Sequence, residues 1–371
     1  MTPKVSFVVP CYNLAHLLRE CLESILTQTY SDLEVLVLDD CSPDDTAEVV
    51  SSLPDPRIKY VRNEPNLGHL RNYNKGIALA RGDFIWLISP DDYLRKPYAL
   101  ERYVNVMEQN PHLGYVLCPA IKVENGSETE LVSWSTHGTT DQILSGHEFL
   151  EKLLIGNCVV APTGMVRREC YDKVTTFPLN MPNSGDWYLW CAFALDYDVG
   201  YMAEPMVCYR IHTANMSVIL KTNKPRIISD DNIAVRWTVK HMAEARNLKS
   251  VVTLCKDAIA TYYANLLACD LHQSGIYRMG WDDCERSIRQ YAKNEDEELE
   301  VRASVLIALA DQCYLRRDFT RAREYYHAAL QRWCIQTVAK LVLLQLGPVG
   351  VYLRDYVGDR RAAFSTRTHD S

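Results

Sequence analysis

The chain has 371 residues, enough for two domains, with 47% hydrophobic and 23% charged residues. Its net charge of −7 argues against a general nucleic-acid binder, so an anionic ligand must be met by local cations or a metal rather than by the overall field. Its 13 cysteines include no CxxC pair and no Cys/His ligand spacing, which excludes a zinc or disulfide framework and reads as buried, reduced thiols.

Residues 5–9 read as a first strand. Pro10-Cys11-Tyr12-Asn13 then turns the chain into a helix over 14–27, where Leu18, Cys21, Leu22 and Ile25 recur at helical spacing. Residues 33–38 form a second strand, and Ser42 is expected to cap a helix beginning at Pro43. A short third strand covers 58–61, Asn66-Leu67-Gly68 opens a helix to about Ala80, and 84–88 is a fourth strand. A helix over 100–108 and a strand over 115–119 follow. This alternation predicts an α/β fold with a mostly parallel sheet, flanked by helices and joined by right-handed crossovers. Residues 124–140 are polar and read as a surface loop or hairpin over the rim. Residues 159–166 and 199–209 look strand-like, with a helix over 186–195 between them.

The first domain is expected to span 1–217, and an all-α domain 222–358. Stretches 253–269, 301–315 and 320–333 are amphipathic. The run from Ala310 through Tyr314, Asp318 and Ala322 to Tyr325-Tyr326 is similar to one tetratricopeptide unit, and a generic helical bundle fits equally well. Residues 359–371 read as a disordered tail. The segment 338–353, followed by Arg354, Arg360, Arg361 and Arg367, is a candidate for peripheral contact with an anionic membrane surface. With no signal-like start and no unbroken apolar run of about 18 residues, the chain is expected in the cytoplasm, with the inner face of the membrane as the alternative location.

Carboxylates cluster at the ends of the apolar runs. Asp39-Asp40 follow the second strand, Asp91-Asp92 follow the fourth, and Asp186 sits in Asn183-Ser184-Gly185-Asp186-Trp187. Ligands of open α/β sheets bind outside the carboxyl ends of the strands. Two acidic pairs meeting at one rim are costly unless something binds there, and a divalent metal carrying a phosphorylated ligand would balance them.

Val5-Ser6-Phe7-Val8-Val9-Pro10-Cys11-Tyr12-Asn13, then Leu38-Asp39-Asp40-Cys41-Ser42 with Asp45-Thr46, then Asn66-Leu67-Gly68, closely resembles the opening of family 2 glycosyltransferases. The resemblance covers about residues 4–217. It implies the A-type nucleotide-sugar transferase fold and inverting transfer of a sugar from a nucleotide diphosphate donor, UDP favoured, to the hydroxyl of a glycan or lipid-linked acceptor in bacterial polysaccharide synthesis. Pro10, Tyr12, Asn13 and Asp40 would hold the base, and Asn66, Gly68 and Arg71 the nucleotide or its diphosphate. Ser89-Pro90-Asp91-Asp92 stands where the family carries its Asp-x-Asp motif. Asp91 is then the ligand of Mg²⁺ or Mn²⁺, while Ser89, in place of the first Asp, contacts the ribose and weakens the metal's hold. Gly185-Asp186-Trp187 resembles the segment bearing the catalytic base, Asp186, with Gly185 where an acidic residue is usual. Cys208-Tyr209-Arg210-Ile211-His212 resembles the family's closing motif, with His212 completing the metal shell and Arg210 offsetting leaving-group charge.

Ser89 and Gly185 leave a second reading open, a transferase-fold scaffold that has lost catalysis. The helical half would stabilise the first, pair two copies as a homodimer, or meet a partner.

Overall fold

A computed structural model of the chain describes residues 2–213, 215–268 and 277–330. The chain divides between Val251 and Val252 into two compact units, later than the boundary expected near Ser217. Two further helices, beginning at Met216, therefore fold with the sheet.

The first unit opens with β1 (Val5–Cys11), α1 (Ala15–Leu26), β2 (Leu33–Asp39), α2 (Thr46–Ser51), β3 (Ile58–Arg62), α3 (His69–Leu79) and β4 (Phe84–Leu87). β1 and β2 are buried along their whole length, as strands covered by helices on both faces must be. Next come β5 (Tyr93–Leu94), α4 (Ala99–Gln109), β6 (Leu113–Leu117), and the hairpin of β7 (Ala120–Glu124) and β8 (Ser127–Leu131). The chain continues through β9 (Gln142–Leu144), α5 (Gly146–Ile155), β10 (Met165–Arg167), α6 (Arg168–Lys173), α7 (Gly185–Ala194), β11 (Asp198–Tyr201) and β12 (Val207–Arg210). Helices α8 (Met216–Asn223) and α9 (Pro225–Ala245) follow.

Among the described residues the main sheet has the order β3-β2-β1-β4-β10-β6-β11-β9, and β5-β12-β7-β8 form a smaller one. β3, β2, β1 and β4 are parallel, so the turns after β1, β2 and β4 emerge at one edge. β10 runs antiparallel between β4 and β6, and β9 antiparallel to β11. The expectation of a mostly parallel sheet flanked by helices holds.

Three local expectations are corrected. Ser42 does not cap a helix at Pro43: α2 starts at Thr46, and the Ser42 hydroxyl accepts the Asn13 N–H at 3.1 Å instead. Residues 159–166 are a 3-10 turn, Ala161–Thr163, before the short β10, because Pro162 cannot donate to a ladder. Residues 199–209 are two strands in two different sheets, β11 and β12.

The sheet is pinned at its centre by Trp86 of β4, fully buried between Phe7 and Tyr103, with its Nε1–H donated to the Pro162 carbonyl at 2.7 Å. A buried carboxylate also ties the sheet together. Glu34 on β2, 3% exposed, accepts from the Ser6 hydroxyl (2.7 Å), Lys59 Nζ (2.7 Å) and the Arg81 guanidinium (2.8 Å). Burial alone would raise its pKa, but the bonds from Arg81, Lys59 and Ser6 outweigh that and lower it to about 2. A carboxyl held below its unfolded value stabilises the fold above that value and loses the contribution as pH falls toward the folded one. With Lys59 and Arg81 each about half exposed, solvent screening leaves about 2 kcal/mol. Urea melts should therefore show wild type losing about that much between pH 5 and pH 2.5 relative to Glu34→Gln. Parallel pH profiles for the two proteins would refute the assignment.

The second unit contains α10 (Lys249–Ala268), which begins at its border, then α11 (Trp281–Tyr291), α12 (Glu295–Leu315) and α13 (Phe319–Leu330). Ala310 and Tyr314 of α12 pack on Ala322 and Tyr326 of α13, the small residues letting the two helices close on each other. No helix among the described residues is long and apolar enough to cross a membrane. The basic membrane-contact candidate and the polar tail lie outside the described residues.

Candidate active site

At the end of β1 the chain leaves the sheet through Asn13, whose φ of 56° is a left-handed conformation that Asn tolerates better than most residues. Pro10 is buried in β1, and Tyr12, 54% exposed, offers an open aromatic face at the rim. Asp40 follows β2. Its Oδ1 accepts the Leu67 N–H and Asn63 Nδ2–H, both at 2.8 Å, and its Oδ2 accepts the Gly68 N–H at 2.9 Å. Asn66 returns a bond to the Asp40 carbonyl at 2.7 Å. Gly68 has φ +80°, a conformation costly for other residues, and it starts α3 with its N–H aimed at Asp40. Asp40 is thus largely committed to holding the Asn66–Gly68 turn. Arg71 is exposed on α3 and makes no ion pair among the described residues.

A cavity of about 420 Å³ opens beyond the end of β4. Ser89, Asp91, Asp92, Asp186 and Asn215 all line it. His69 and Leu70 of α3 line it as well and connect it to the Asp40 corner. The Asp91 carboxylate is buried. Its Oδ2 lies 3.0 Å from His212 Nε2 and 3.1 Å from Asn215 Nδ2, while its Oδ1 has no hydrogen-bond partner. Asn215 also accepts the His212 N–H, so one side chain bridges His212 and Asp91. Burial and the Asp91 charge push the Asp92 carboxyl well above the ordinary range, and its Oδ1 accepts the Arg210 N–H at 3.0 Å.

Arg210 is placed differently from the expectation. Its guanidinium donates to the Asp91 carbonyl at 3.0 Å and pairs with Glu20 at 2.5 Å, over the Tyr93 ring. It therefore supports the acidic turn and is not among the residues lining the cavity.

Asp186 sits in the first turn of α7, half-buried, and its Oδ2 accepts from Asn157 Nδ2 at 3.1 Å. Burial raises its pKa, partly offset by the Trp187 N–H and Asn157. Gly185 now has a physical reason: a Cβ there would stand 3.0 Å from the Phe177 ring and 3.3 Å from Leu70. An acidic side chain at 185 would be forced into that wall.

The rim's charge is balanced unevenly. Asp39 is paired with Arg62 at 2.5 Å and bonded by Tyr60 and the Ser42 N–H. Asp40 has backbone donors, and Asp92 has the Arg210 N–H. Asp91 alone of the four retains a buried oxygen without a partner. Such an atom is costly in a folded protein unless a ligand completes it. Asp91 and His212 fit Mg²⁺ or Mn²⁺: a carboxylate and an imidazole, already adjacent. No group of three or more His, Cys, Asp or Glu suited to a metal occurs among the described residues, so most of an octahedral shell would fall to diphosphate oxygens and water.

Asn157 and Asn215 were not visible in the sequence. Neither belongs to a spacing pattern, and both acquire their roles only from chain segments folded against them.

Residues 6–174 match the model for Glycosyl transferase family 2. An uncharacterized glycosyltransferase of Haemophilus influenzae is 30% identical over 220 residues, 57% of this chain and 66% of that protein. The succinoglycan biosynthesis protein ExoO of Rhizobium meliloti is 40% identical over 102 residues, 28% of this chain and 29% of that protein. The chain thus spans two thirds or less of the length of these curated relatives. S. aureus TarS 1-349, crystallised with UDP-GlcNAc, superposes with a TM-score of 0.60 at 16% identity, covering 88% of this chain and 90% of that one. Residues 6–174 therefore form a glycosyl transferase family 2 domain, and the fold is the GT-A fold shared with the S. aureus protein.

Proposed function

We propose that this chain moves a sugar, with inversion, from a nucleotide diphosphate donor to the hydroxyl of a glycan or lipid-linked acceptor. The observation carrying this reading is the pairing, on one cavity wall, of Asp91's unpartnered buried oxygen beside His212 with the half-buried carboxylate of Asp186. Tyr12 stacks on the base, and the Asp40–Gly68 corner shapes the turn on which the nucleotide rests. Asp91 and His212 would hold a divalent cation, which would supply positive charge opposite the departing diphosphate. Asp186 takes the acceptor hydroxyl proton as that oxygen attacks the anomeric carbon. The bond from that carbon to the diphosphate breaks, and its electron pair leaves on the diphosphate. Asn157 holds Asp186 Oδ2 and so orients the carboxylate at the cavity.

A uridine donor is the favoured choice, supported by the UDP-sugar bound to the similarly folded S. aureus protein. A role in bacterial polysaccharide synthesis is supported by the name of the Rhizobium relative. Calorimetric titration with UDP, GDP and dTDP, each with and without Mn²⁺, tests the reading. UDP should bind in the presence of the metal and at least tenfold more weakly without it. A folded protein that binds none of the three would favour the scaffold reading instead.

A further inference from the structure

Asp186 belongs to a helix that begins only one residue earlier, and the loop before it has no cap of its own: Ser184 makes no side-chain capping bond. The support comes from α9, which lies beyond the stretch that matches the family model. Asp231, 3% exposed, directs a single oxygen, Oδ2, at the Asn183 N–H (2.6 Å) and the Ser184 N–H (3.0 Å). The neighbouring Asn232 meets the Ser184 hydroxyl at 3.1 Å. One turn further along the same helix, Arg236, also 3% exposed, donates to the Leu154 carbonyl (3.1 Å) and the Ile155 carbonyl (2.9 Å) at the end of α5. Its guanidinium lies 4.8 Å from the centre of the Trp187 ring, next in sequence to Asp186.

These contacts fall on the two segments that carry the Asp186–Asn157 bond. Residues 183–184 lead into Asp186, and residues 154–155 lead into Asn157. We infer that α9 is a positioning clamp for the catalytic carboxylate, with Asp231 fixing the entry to α7 and Arg236 fixing the end of α5, so that Asp186 and Asn157 stay in register at the cavity. This rests on the reading of Asp186 as the base.

A misplacement of about 1 Å in a base costs about 100-fold in rate. Asp231→Ala removes the shared acceptor, whereas Asp231→Asn keeps an oxygen at the same place. The test uses the full chain with UDP-sugar donors, measuring kcat, KM for the donor, UDP binding by calorimetry, and melting temperature. Asp231→Ala should lower kcat about 10- to 100-fold with donor KM and UDP affinity within about twofold. Asp231→Asn should restore most of kcat. In an Asp186→Asn background, Asp231→Ala should cause no further loss, because a clamp has no effect once the group it positions is gone. A kcat unchanged by Asp231→Ala in an enzyme that Asp186→Asn inactivates would overturn the clamp alone. So would equal losses in kcat, KM and UDP binding that Asp231→Asn does not rescue, since these mark general loosening. Full activity in Asp186→Asn would overturn the base reading, and the clamp with it.

Discussion

Asp186→Asn is expected to lower kcat by about 100- to 10,000-fold, the range general-base catalysis supplies. UDP affinity should stay within about twofold, because the Tyr12–Asp40–Gly68 corner is built from β1, β2 and α3 and makes no bond with Asp186. The amide preserves shape and can still meet Asn157, so the melting temperature should hardly change. Loss of turnover with intact binding and folding separates a base from a structural helix cap. The pH profile adds a second check. Burial raises the Asp186 pKa, and a base works only when deprotonated. Wild-type kcat should therefore fall as pH drops toward a value above the ordinary carboxylate range, not within it. Initial-rate measurements of nucleotide diphosphate release would establish both points. A variant retaining more than a tenth of wild-type kcat would exclude Asp186 as the base.

Asp91→Asn is expected to abolish the metal-dependent part of nucleotide binding while leaving the apo protein as stable as wild type or slightly more so. The two effects have one origin. In the free protein, Asp91 keeps a buried oxygen unpartnered, close enough to Asp92 that its charge helps push that carboxyl up. An amide removes that charge yet still offers an acceptor to His212 or Asn215. Relief of the buried charge is worth about 1 kcal/mol, or about 2 °C in melting temperature. The same change removes the anionic ligand, and losses of about 100-fold or more in metal affinity follow from altering a coordinating group. Gains in stability at the expense of activity are the mark of a site held strained for function. Calorimetry with UDP and Mn²⁺ alongside thermal melts would test it. Persistent Mn²⁺-dependent binding, or a melting temperature several degrees lower, would contradict this role for Asp91.

Most secondary structure was legible because its signals are local. Apolar runs at 5–9 and 33–38 and the helical period of Leu18, Cys21, Leu22 and Ile25 report burial one element at a time. The misreadings arose where neighbours override pattern. The apolar stretch at 159–166 is too interrupted by Pro162 to pair along its length. Ser42 looked like a cap, but Asn13, distant in sequence, claimed its hydroxyl. The site residues Ser89, Asp91 and Asp186 do share one cavity, whereas Arg210 turned out to brace the acidic turn from outside it.

The sequence by itself determined the alternation of strands and helices, the family motifs and the residue types at the rim, since each depends on spacing within a few tens of residues. Only the tertiary structure decided which carboxylate is left wanting a ligand. Asp39, Asp40, Asp91 and Asp92 look alike in sequence, but their partners lie in other elements, Arg62, Gly68, His212 and Arg210 among them. The state of a buried charge depends on the donors that the fold brings within about 3 Å, and no local pattern encodes that distance. The same holds for α9, whose Asp231 and Arg236 read as ordinary helix residues until folding sets them against the two ends of the Asn157–Asp186 bond.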